Sequence, residues 1–429
     1  MEGNPKYPNL FTIKGEGIFS STEIEIEAEF EITRYPQNTI IEAQTSDSNI
    51  IFKLIGLQRE SWNLKGITEN GIKVSAANLL RTKASGNEIT FYSFKDLCFG
   101  QQDLEHISFA EFPLIGIYDT NFHIQNNNWE IECEREDTNK LKSSKRKSQN
   151  WGLQLEGSTL KLKNKDAKIE QYLKKADDIT SLLSLASGND VVFNRQLYYT
   201  NDTLSLERWK RKVDYYFGAE KCIPDSQLDS YIESTIENYE NWDEKKKKLF
   251  FSTVNYINSS SKGYLENRLL GICIAWESIA QKWAPKKPKT SDELANFKKL
   301  LKEAINDFEL PPKYDKQSIT DRIIKSLDWE KSAIQLKDLA EKYDLDQEKL
   351  GLDFKSLIRI RNDIAHSGLF RENYDLDFLM ELLYNHKFGL QVLLLLELGY
   401  SGLIESQENN YRTFVEIYQL QRNKPNKTT

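Results

Sequence analysis

The chain has 429 residues, of which 39% are hydrophobic and 29% are charged, and its formal net charge is −7. This composition predicts an ordinary soluble globular protein of two or three domains, and it excludes a chain with a general electrostatic attraction to nucleic acid. Any RNA would have to be held by a local basic surface, because phosphate contacts supply most of the non-specific affinity.

The cysteines and the apolar runs set further limits. Four cysteines lie far apart in the sequence and no signal peptide is recognisable, so we expect reduced thiols in a cytoplasmic protein. The longest apolar run, residues 390–398, contains Gln391 and Glu397 and is too short to span a bilayer. We expect no membrane insertion, no metal and no other cofactor. A zinc site is not expected, because no compact zinc motif matches the spacing of Cys98, His106, His123 and Cys133.

Residues 1–150 are predicted to form a β-rich N-terminal domain. Residues 22–32 alternate polar and apolar side chains, which predicts a strand with one buried face, and residues 49–57, 88–94 and 129–134 repeat the pattern. The buried face of the first strand would carry Ile24, Ile26, Ala28, Phe30 and Ile32. Turns are predicted at Gly15, Gly17, Gly56, Gly71 and Gly86.

Residues 138–150 are polar and basic without apolar periodicity, so we interpret them as a flexible, solvated linker; contact with RNA phosphates is the alternative. Residues 151–244 are predicted to form a smaller α+β segment that either completes the N-terminal domain or links it to the next. Residues 151–163 suggest a hairpin around Gly157 and Ser158. A helix at 169–185 closed by Gly188 and strands around Asn201 and Asp202 follow.

Residues 245–422 are predicted to form an all-helical domain, with a disordered tail at 423–429. Apolar spacing predicts helices over residues 265–283, 291–308, 318–327, 333–343, 352–370 and 375–398, and Pro285 ends the first of them. The overall fold class is therefore α+β, a β-rich region followed by a helical one. We interpret His386, in the last helix, as a satisfied core or interface histidine.

The helix at residues 352–370 carries an unusual sequence, Arg361-Asn362-Asp363-Ile364-Ala365-His366. Arg361 falls near the middle of the predicted apolar arc, where a charge is costly unless it is paired. Asn362 and His366 share the flank of that face, whereas Asp363 and Arg359 are predicted to point away from it. The predicted arc consists of Phe354, Leu357, Ile358, Ile364, Ala365, Gly368 and Leu369.

An arginine followed by a histidine in a late helix resembles the motif of HEPN (higher eukaryotes and prokaryotes nucleotide-binding) ribonucleases. The whole chain, a β-rich region joined to a helical one, resembles the ApeA-like branch of bacterial anti-phage defence. The resemblance implies a metal-independent endoribonuclease that acts in abortive infection and forms a homodimer through its HEPN domain. It also implies an N-terminal region that senses a phage-derived trigger and regulates the nuclease.

RNA carries its own nucleophile, the 2′-OH, so cleavage requires a proton acceptor, a proton donor and a cation that stabilises the phosphate charge. His366 can exchange a proton near neutral pH, Arg361 offers a planar cationic fork, and Asn362 can bond a phosphate oxygen or the imidazole. These are the predicted catalytic residues. The products would be a 2′,3′-cyclic phosphate and a 5′-hydroxyl. Because Arg361 and His366 lie about 140° apart on an ideal helix, we expect a composite site in a dimer.

Glu277 and Asp363 are candidate supporting residues, with Glu266 as an alternative to Glu277 and Arg268 as a salt-bridge partner of either. Two alternatives to catalysis stay open. In one, Arg361 forms a buried ion pair with an acid such as Glu277, and His366 is an ordinary surface histidine. In the other, a non-catalytic HEPN module binds nucleotide or a partner protein, and the β-rich N-terminal region carries the main function of the protein.

Overall fold

The computed structural model describes residues 11–34, 39–47, 61–85, 87–93, 97–101, 104, 106–117, 120–135, 156–209, 221–285, 292–307, 315–328, 332–370, 374–408 and 411–422. The chain divides into two compact units, Met1–Asn241 and Trp242–Thr429. The predicted strand at 49–57, the linker at 138–150 and the tail at 423–429 lie outside the described residues.

The N-terminal unit contains six antiparallel strands that close into a ring, which we call the closed sheet. Their order is β4–β1–β2–β3–β6–β5, and β5 pairs back with β4. The predicted β-rich N-terminal region is confirmed. The strands are β1 (Phe11–Ser20), β2 (Glu25–Arg34), β3 (Thr39–Gln44), β4 (Ser61–Thr68), β5 (Lys73–Ser85) and β6 (Glu88–Ser93).

The burial of β2 follows its sequence pattern. Ile26, Ala28, Phe30 and Ile32 are buried, as predicted, and glutamates lie between them. The same alternation places Arg34 on the buried face at the end of the strand. The inward side chains of the six strands therefore form the core of the closed sheet.

Two glycines in β1 allow the strands of the closed sheet to approach closely. The prediction that Gly15 and Gly17 mark turns is wrong, because both lie inside β1. A Cβ on Gly15 would come within 2.3 Å of the Ile67 carbonyl oxygen and 2.7 Å of the Phe30 ring. Gly71 does lie in a turn, with φ of +77°, whereas Gly56 and Gly86 are outside the described residues.

The sheet continues from β5 through seven strands in the order β7–β14–β13–β8–β11–β10–β9, and β12 pairs with β8. Residues 156–209 thus supply strands to the N-terminal sheet, in line with the first of the two alternatives for that segment. The strands are β7 (Leu97–Gly100), β8 (Phe109–Ile115), β9 (Phe122–Asn126), β10 (Trp129–Arg135), β11 (Glu156–Lys163), β12 (Val192–Phe193), β13 (Arg195–Thr200) and β14 (Thr203–Trp209).

Local predictions in this part had mixed outcomes. The predicted hairpin turn at Gly157 and Ser158 is wrong, because both residues lie within β11, which pairs with β8 and β10. The predicted helix is α1 (Ile169–Ser187), and it ends at Gly188, which has φ of +65°. The turn at Asn201 and Asp202 joins β13 to β14 as predicted. A second helix, α2 (Leu228–Glu240), packs against α1.

The C-terminal unit is mainly helical, as predicted, but its described residues also contain a β-hairpin. They form α3 (Glu244–Ser259), α4 (Leu265–Trp283), α5 (Asp292–Asp307), α6 (Lys316–Asp328), α7 (Ser332–Lys342), α8 (Phe354–Ser367) and α9 (Leu376–Glu397), then β15 (Leu403–Glu408) and β16 (Tyr411–Glu416). The expectation of an all-helical domain is therefore wrong in this respect. Among the described helices, none has the length and hydropathy required to cross a bilayer.

We predict that Gly15→Ala lowers the free energy of unfolding by about 1–3 kcal/mol, because the added methyl group forces β1 away from β4. Urea denaturation followed by far-UV circular dichroism measures the effect. The control is Glu16→Ala on the exposed face of the same strand, for which a change within about 0.5 kcal/mol is expected. Equal losses in the two variants would contradict the close-approach explanation.

Candidate active site on helix α8

Helix α8 begins and ends at well-defined caps. The Asp353 carboxylate accepts hydrogen bonds from the backbone N–H groups of Lys355 and Ser356, each at 3.1 Å. Burial alone would raise the pKa of Asp353, but these bonds and the Ser356 hydroxyl hold it below its ordinary value. Gly368, with φ of +76°, ends the helix two residues after His366.

The buried face of α8 packs against α4 and α7. The Phe354 ring lies against Trp276 on α4 and against His386 on α9, with centroid distances of 5.1 and 5.2 Å. The centre of the buried arc is displaced by roughly 70° from the predicted one, toward Ile360, so Arg361 lies at its edge. The predicted arc is wrong in part, because its members Ala365, Gly368 and Leu369 are exposed.

Arg361 is held by two neighbours at the rim of the helix. Its Nη2 atom lies 3.2 Å from Oε2 of Glu277 on α4, and its Nη1 atom donates to Oδ1 of Asn362 at 2.9 Å. The side chain of Arg361 is 37% exposed and that of Glu277 is 17% exposed, so the ion pair is not deeply buried. The other N–H groups of Arg361 have no partner among the described residues, and a guanidinium has five.

Cys273, one turn before Glu277 on α4, is buried behind this ion pair. Burial, and secondly the Glu277 carboxylate, raise the pKa of Cys273 to about 12. The thiol is therefore neutral, and a neutral thiol is a poor nucleophile.

Asp363 does not point away from the core, and the prediction of its orientation is wrong. It is buried, and its carboxylate accepts a hydrogen bond from the Tyr374 hydroxyl at 2.9 Å. The Ser367 hydroxyl also donates to the Asp363 backbone oxygen, at 2.6 Å. A buried carboxylate requires hydrogen-bond donors, and here the segment after the helix supplies one. The Asp363 carboxylate thus holds Tyr374 against α8.

His366 and Asn362 are both exposed, one turn apart on the outer flank of α8. The carbonyl oxygen of Asn362 is occupied by Arg361, which leaves the amide N–H₂ as the group that can reach a ligand. The structure therefore brings Arg361, Asn362 and Glu277 into contact. By helix geometry it leaves His366 about 140° from Arg361 around α8.

Arg268 does not pair with Glu277, because its guanidinium donates to the Ser260 backbone oxygen. Glu266 lies three turns before Glu277 on α4, so Glu277 is the acidic residue of this helix that meets the motif.

One group of potential metal ligands occurs among the described residues. His123, Glu130 and Glu132 lie within 4.8 Å of one another on β9 and β10. Lys163 donates to Glu130 at 2.7 Å, and this bond lowers the pKa of Glu130. The lysine thus balances one of the two carboxylate charges. All four cysteines are buried, and none of them forms a disulfide bond in this structure.

Comparisons of the chain with protein-family models, with curated proteins and with solved structures find no match. A functional assignment therefore depends on the geometry of α8 and on the resemblance carried by residues 361–366.

His386 lies at the centre of the C-terminal unit, behind the motif helix. It is fully buried, and its backbone oxygen accepts a hydrogen bond from the Trp276 indole at 3.0 Å. The core interpretation was right, but the ring is poorly satisfied: among the described residues neither nitrogen makes a hydrogen bond of good geometry, and a contact with the Asp353 backbone offsets only part of the cost of burial. Burial lowers the pKa of His386 to about 4, so the ring is neutral at physiological pH.

We predict that protonation of His386 destabilises the protein in acid. The pKa falls from 6.5 in the unfolded chain to about 4 in the folded one, so the unfolded chain binds the proton more readily between these values. The free energy of unfolding should decrease by about 3 kcal/mol as the pH falls from 6.5 to 4. Urea midpoints at pH 7 and pH 4.5 measure the effect.

His386→Leu should reduce this pH dependence, whereas His366→Ala, at an exposed site on the motif helix, should retain it. The comparison between variants removes the contributions of other titrating groups. If His386→Leu lost as much stability in acid as the wild type, the buried imidazole would not be the group that senses pH.

Proposed function

We propose that the protein is a metal-independent endoribonuclease whose site contains Arg361, Asn362 and His366. The observation that carries the proposal is a guanidinium held by Glu277 and Asn362 at the solvent-exposed rim of α8, with an exposed imidazole on the same helix. Partly exposed arginines paired with a carboxylate are common in proteins, so the exposed imidazole on the same helix and the spacing of the motif are what distinguish this one. The role in anti-phage abortive infection comes from the family resemblance alone.

In the proposed reaction, the 2′-oxygen attacks the adjacent phosphorus, so an O2′–P bond forms while the P–O5′ bond breaks. His366 of one copy takes the 2′-hydroxyl proton, and a water or a second imidazole protonates the departing 5′-oxygen. The free N–H groups of Arg361 bond the non-bridging oxygens, where negative charge accumulates. The products are a 2′,3′-cyclic phosphate and a 5′-hydroxyl, and no added nucleophile is required.

One helix cannot aim Arg361 and His366 at the same phosphate without a large bend in the arginine side chain, because the two residues lie about 140° apart. A second copy of the chain removes this difficulty by placing its own histidine beside the arginine. Two exposed leucines follow the motif in the sequence: Leu369 is 64% exposed and Leu376 is 63% exposed. Apolar side chains at this exposure gain from being covered.

We predict that the purified protein cleaves single-stranded RNA in the presence of EDTA and that Arg361→Ala and His366→Ala each reduce the rate by at least about 100-fold. Denaturing gels give the rate, and end-group analysis identifies the cyclic phosphate. The matched control is Arg359→Ala, which removes an exposed arginine from the same helix. Cleavage by both motif variants at the wild-type rate would show that these residues are not catalytic.

A composite site makes a second prediction. The double variant Leu369→Glu, Leu376→Glu should be a monomer that no longer cleaves RNA. The control Leu300→Glu, at an exposed leucine of α5, should remain an active dimer. Sedimentation velocity measures the mass against the 50.0 kDa chain.

Mixing the Arg361→Ala and His366→Ala proteins offers a direct test of the shared site. In a mixed dimer, one phosphate pocket regains both an arginine and a histidine, so part of the activity should return. If the mixture stays inactive although it forms dimers, the two groups act within a single copy.

A non-catalytic nucleotide- or partner-binding module is the second candidate, and the Arg361–Glu277 ion pair favours it, because Glu277 offsets part of the positive charge. A protein that binds RNA or nucleotide through Arg361 but never cuts RNA would support that alternative.

A further inference from the structure

Arg34 lies inside the apolar core of the closed sheet. It is the last residue of β2, on the same face as Phe30 and Ile32, and only 4% of its surface is exposed. The Trp209 indole, at the end of β14, covers the guanidinium, whose Cζ atom lies 5.3 Å from the ring centroid. Phe11 packs against the same indole, with a centroid distance of 5.7 Å.

No carboxylate among the described residues pairs with Arg34. Within the described part of the chain, its one hydrogen bond runs from Nη1 to the Thr39 hydroxyl, at 2.8 Å, and its buried Nε atom has no acceptor. Burial lowers the pKa of Arg34 to about 10, so the group still carries its charge at neutral pH. A buried charge without a counter-charge is strongly unfavourable, and folded proteins rarely retain one.

The neighbouring Trp209 also has an N–H group without an acceptor among the described residues. Its Nε1 atom is buried and has no acceptor. The Thr39 hydroxyl accepts from Arg34 and can still donate its own hydrogen. Arg34 and Trp209 therefore each offer an N–H group that has no acceptor among the described residues, and the Thr39 hydroxyl beside Arg34 has a hydrogen left to donate, so the arrangement is complementary to an anion.

Arg195 is a second arginine at the Trp209 ring, and it lies partly exposed to solvent. Its Cζ atom lies 5.2 Å from the centroid of the same Trp209 ring, and its side chain is 31% exposed. Its charge is already balanced, because Nε donates to the Glu207 carboxylate at 2.8 Å. Of the two arginines that lie against Trp209, Arg34 is thus the one whose charge has no carboxylate partner among the described residues.

We propose that Arg34, Trp209 and Thr39 form a binding site for a small carboxylate. One carboxylate matches the single positive charge of Arg34, and its two oxygens accept from the planar guanidinium fork and the indole N–H. Because the site is largely shielded from water, these charge-assisted hydrogen bonds are stronger than they would be on the surface. The carboxylate can belong to a free acid or to the end of a peptide. This site is independent of the ribonuclease proposal.

The experiment compares thermal unfolding of the full-length protein in sodium acetate and in sodium chloride at equal ionic strength. We expect acetate to raise the unfolding temperature of the wild type in a concentration-dependent way, because a ligand that binds only the folded state stabilises it. Arg34→Met should abolish the response, and Trp209→Phe, which keeps a ring but removes the N–H, should weaken the apparent affinity about tenfold. N-acetylalanine replaces acetate in a parallel arm to represent a peptide end.

Arg34→Met has a second readout, in chloride alone. If the charge has no partner, its removal should leave the unfolding temperature unchanged or higher, as replacement of buried charges by apolar groups often does. Arg135→Met, at an exposed arginine of β10, controls for the change in net charge.

Three results would overturn the proposal. In the first, acetate raises the unfolding temperature of Arg34→Met as much as that of the wild type. In the second, acetate does not raise the unfolding temperature of the wild type. In the third, Arg34→Met unfolds at a much lower temperature than the wild type in chloride. The last would show that a carboxylate of the chain itself already neutralises Arg34. Stabilisation by phosphate but not by acetate would likewise overturn the assignment of a carboxylate.

Discussion

The packing of Phe354 between Trp276 and His386 determines where the motif residues lie. This contact joins the start of α8 to α4 and to α9 through rings that are fully or almost fully buried. Glu277 follows Trp276 directly on α4, so the same contact that seats α8 brings Arg361 to the carboxylate. Gly389 on α9 leaves room for the Trp276 ring, because a Cβ at position 389 would lie 3.2 Å from that ring. The charged rim of the site is thus a consequence of the apolar core behind it.

In the N-terminal unit, strand identity could be predicted from the sequence, whereas closure of the sheet could not. Alternation in β2 correctly identified its buried face, because a period of two is a local property of an extended chain. Closure depends on which strands meet: one edge of β5 pairs with β7 at residues 74–76 and with β6 at residues 79–85, whereas its other edge pairs with β4 at residues 73–80. Gly15 and Gly17 were misread as turn residues, since a glycine that admits a neighbouring strand has the same local signature as one that reverses the chain.

In α8, the helix was predicted, but its caps at Asp353 and Gly368 and its orientation were not. Counting Ala365, Gly368 and Leu369 as core shifted the predicted apolar arc away from Ile360 and toward Arg361. Asp363 was assigned to the outside because it lies opposite the predicted apolar arc on a helical projection. Its burial depends on Tyr374, which lies beyond the end of the helix, and a periodicity argument within one helix contains no information about such a partner. The residues of the candidate site, and the Arg361–Glu277 pair as one of two alternatives, could therefore be predicted from the sequence, whereas the contact between Asp363 and Tyr374 could not.

Two arginines show how burial changes what the same side chain implies. Arg361 is partly exposed and has a carboxylate partner, so its environment alone requires no further group; its functional meaning comes from its position beside Asn362 and from the motif. Arg34 is almost completely enclosed and has no carboxylate partner in the described chain, so its environment by itself calls for a counter-charge. The alternation of β2, extended by two residues beyond Ile32, would have placed Arg34 inside. An arginine at an interior position of a strand pattern therefore indicates a ligand more strongly than an arginine on the rim of a helix does. The reason is that a desolvated charge has fewer groups available to stabilise it.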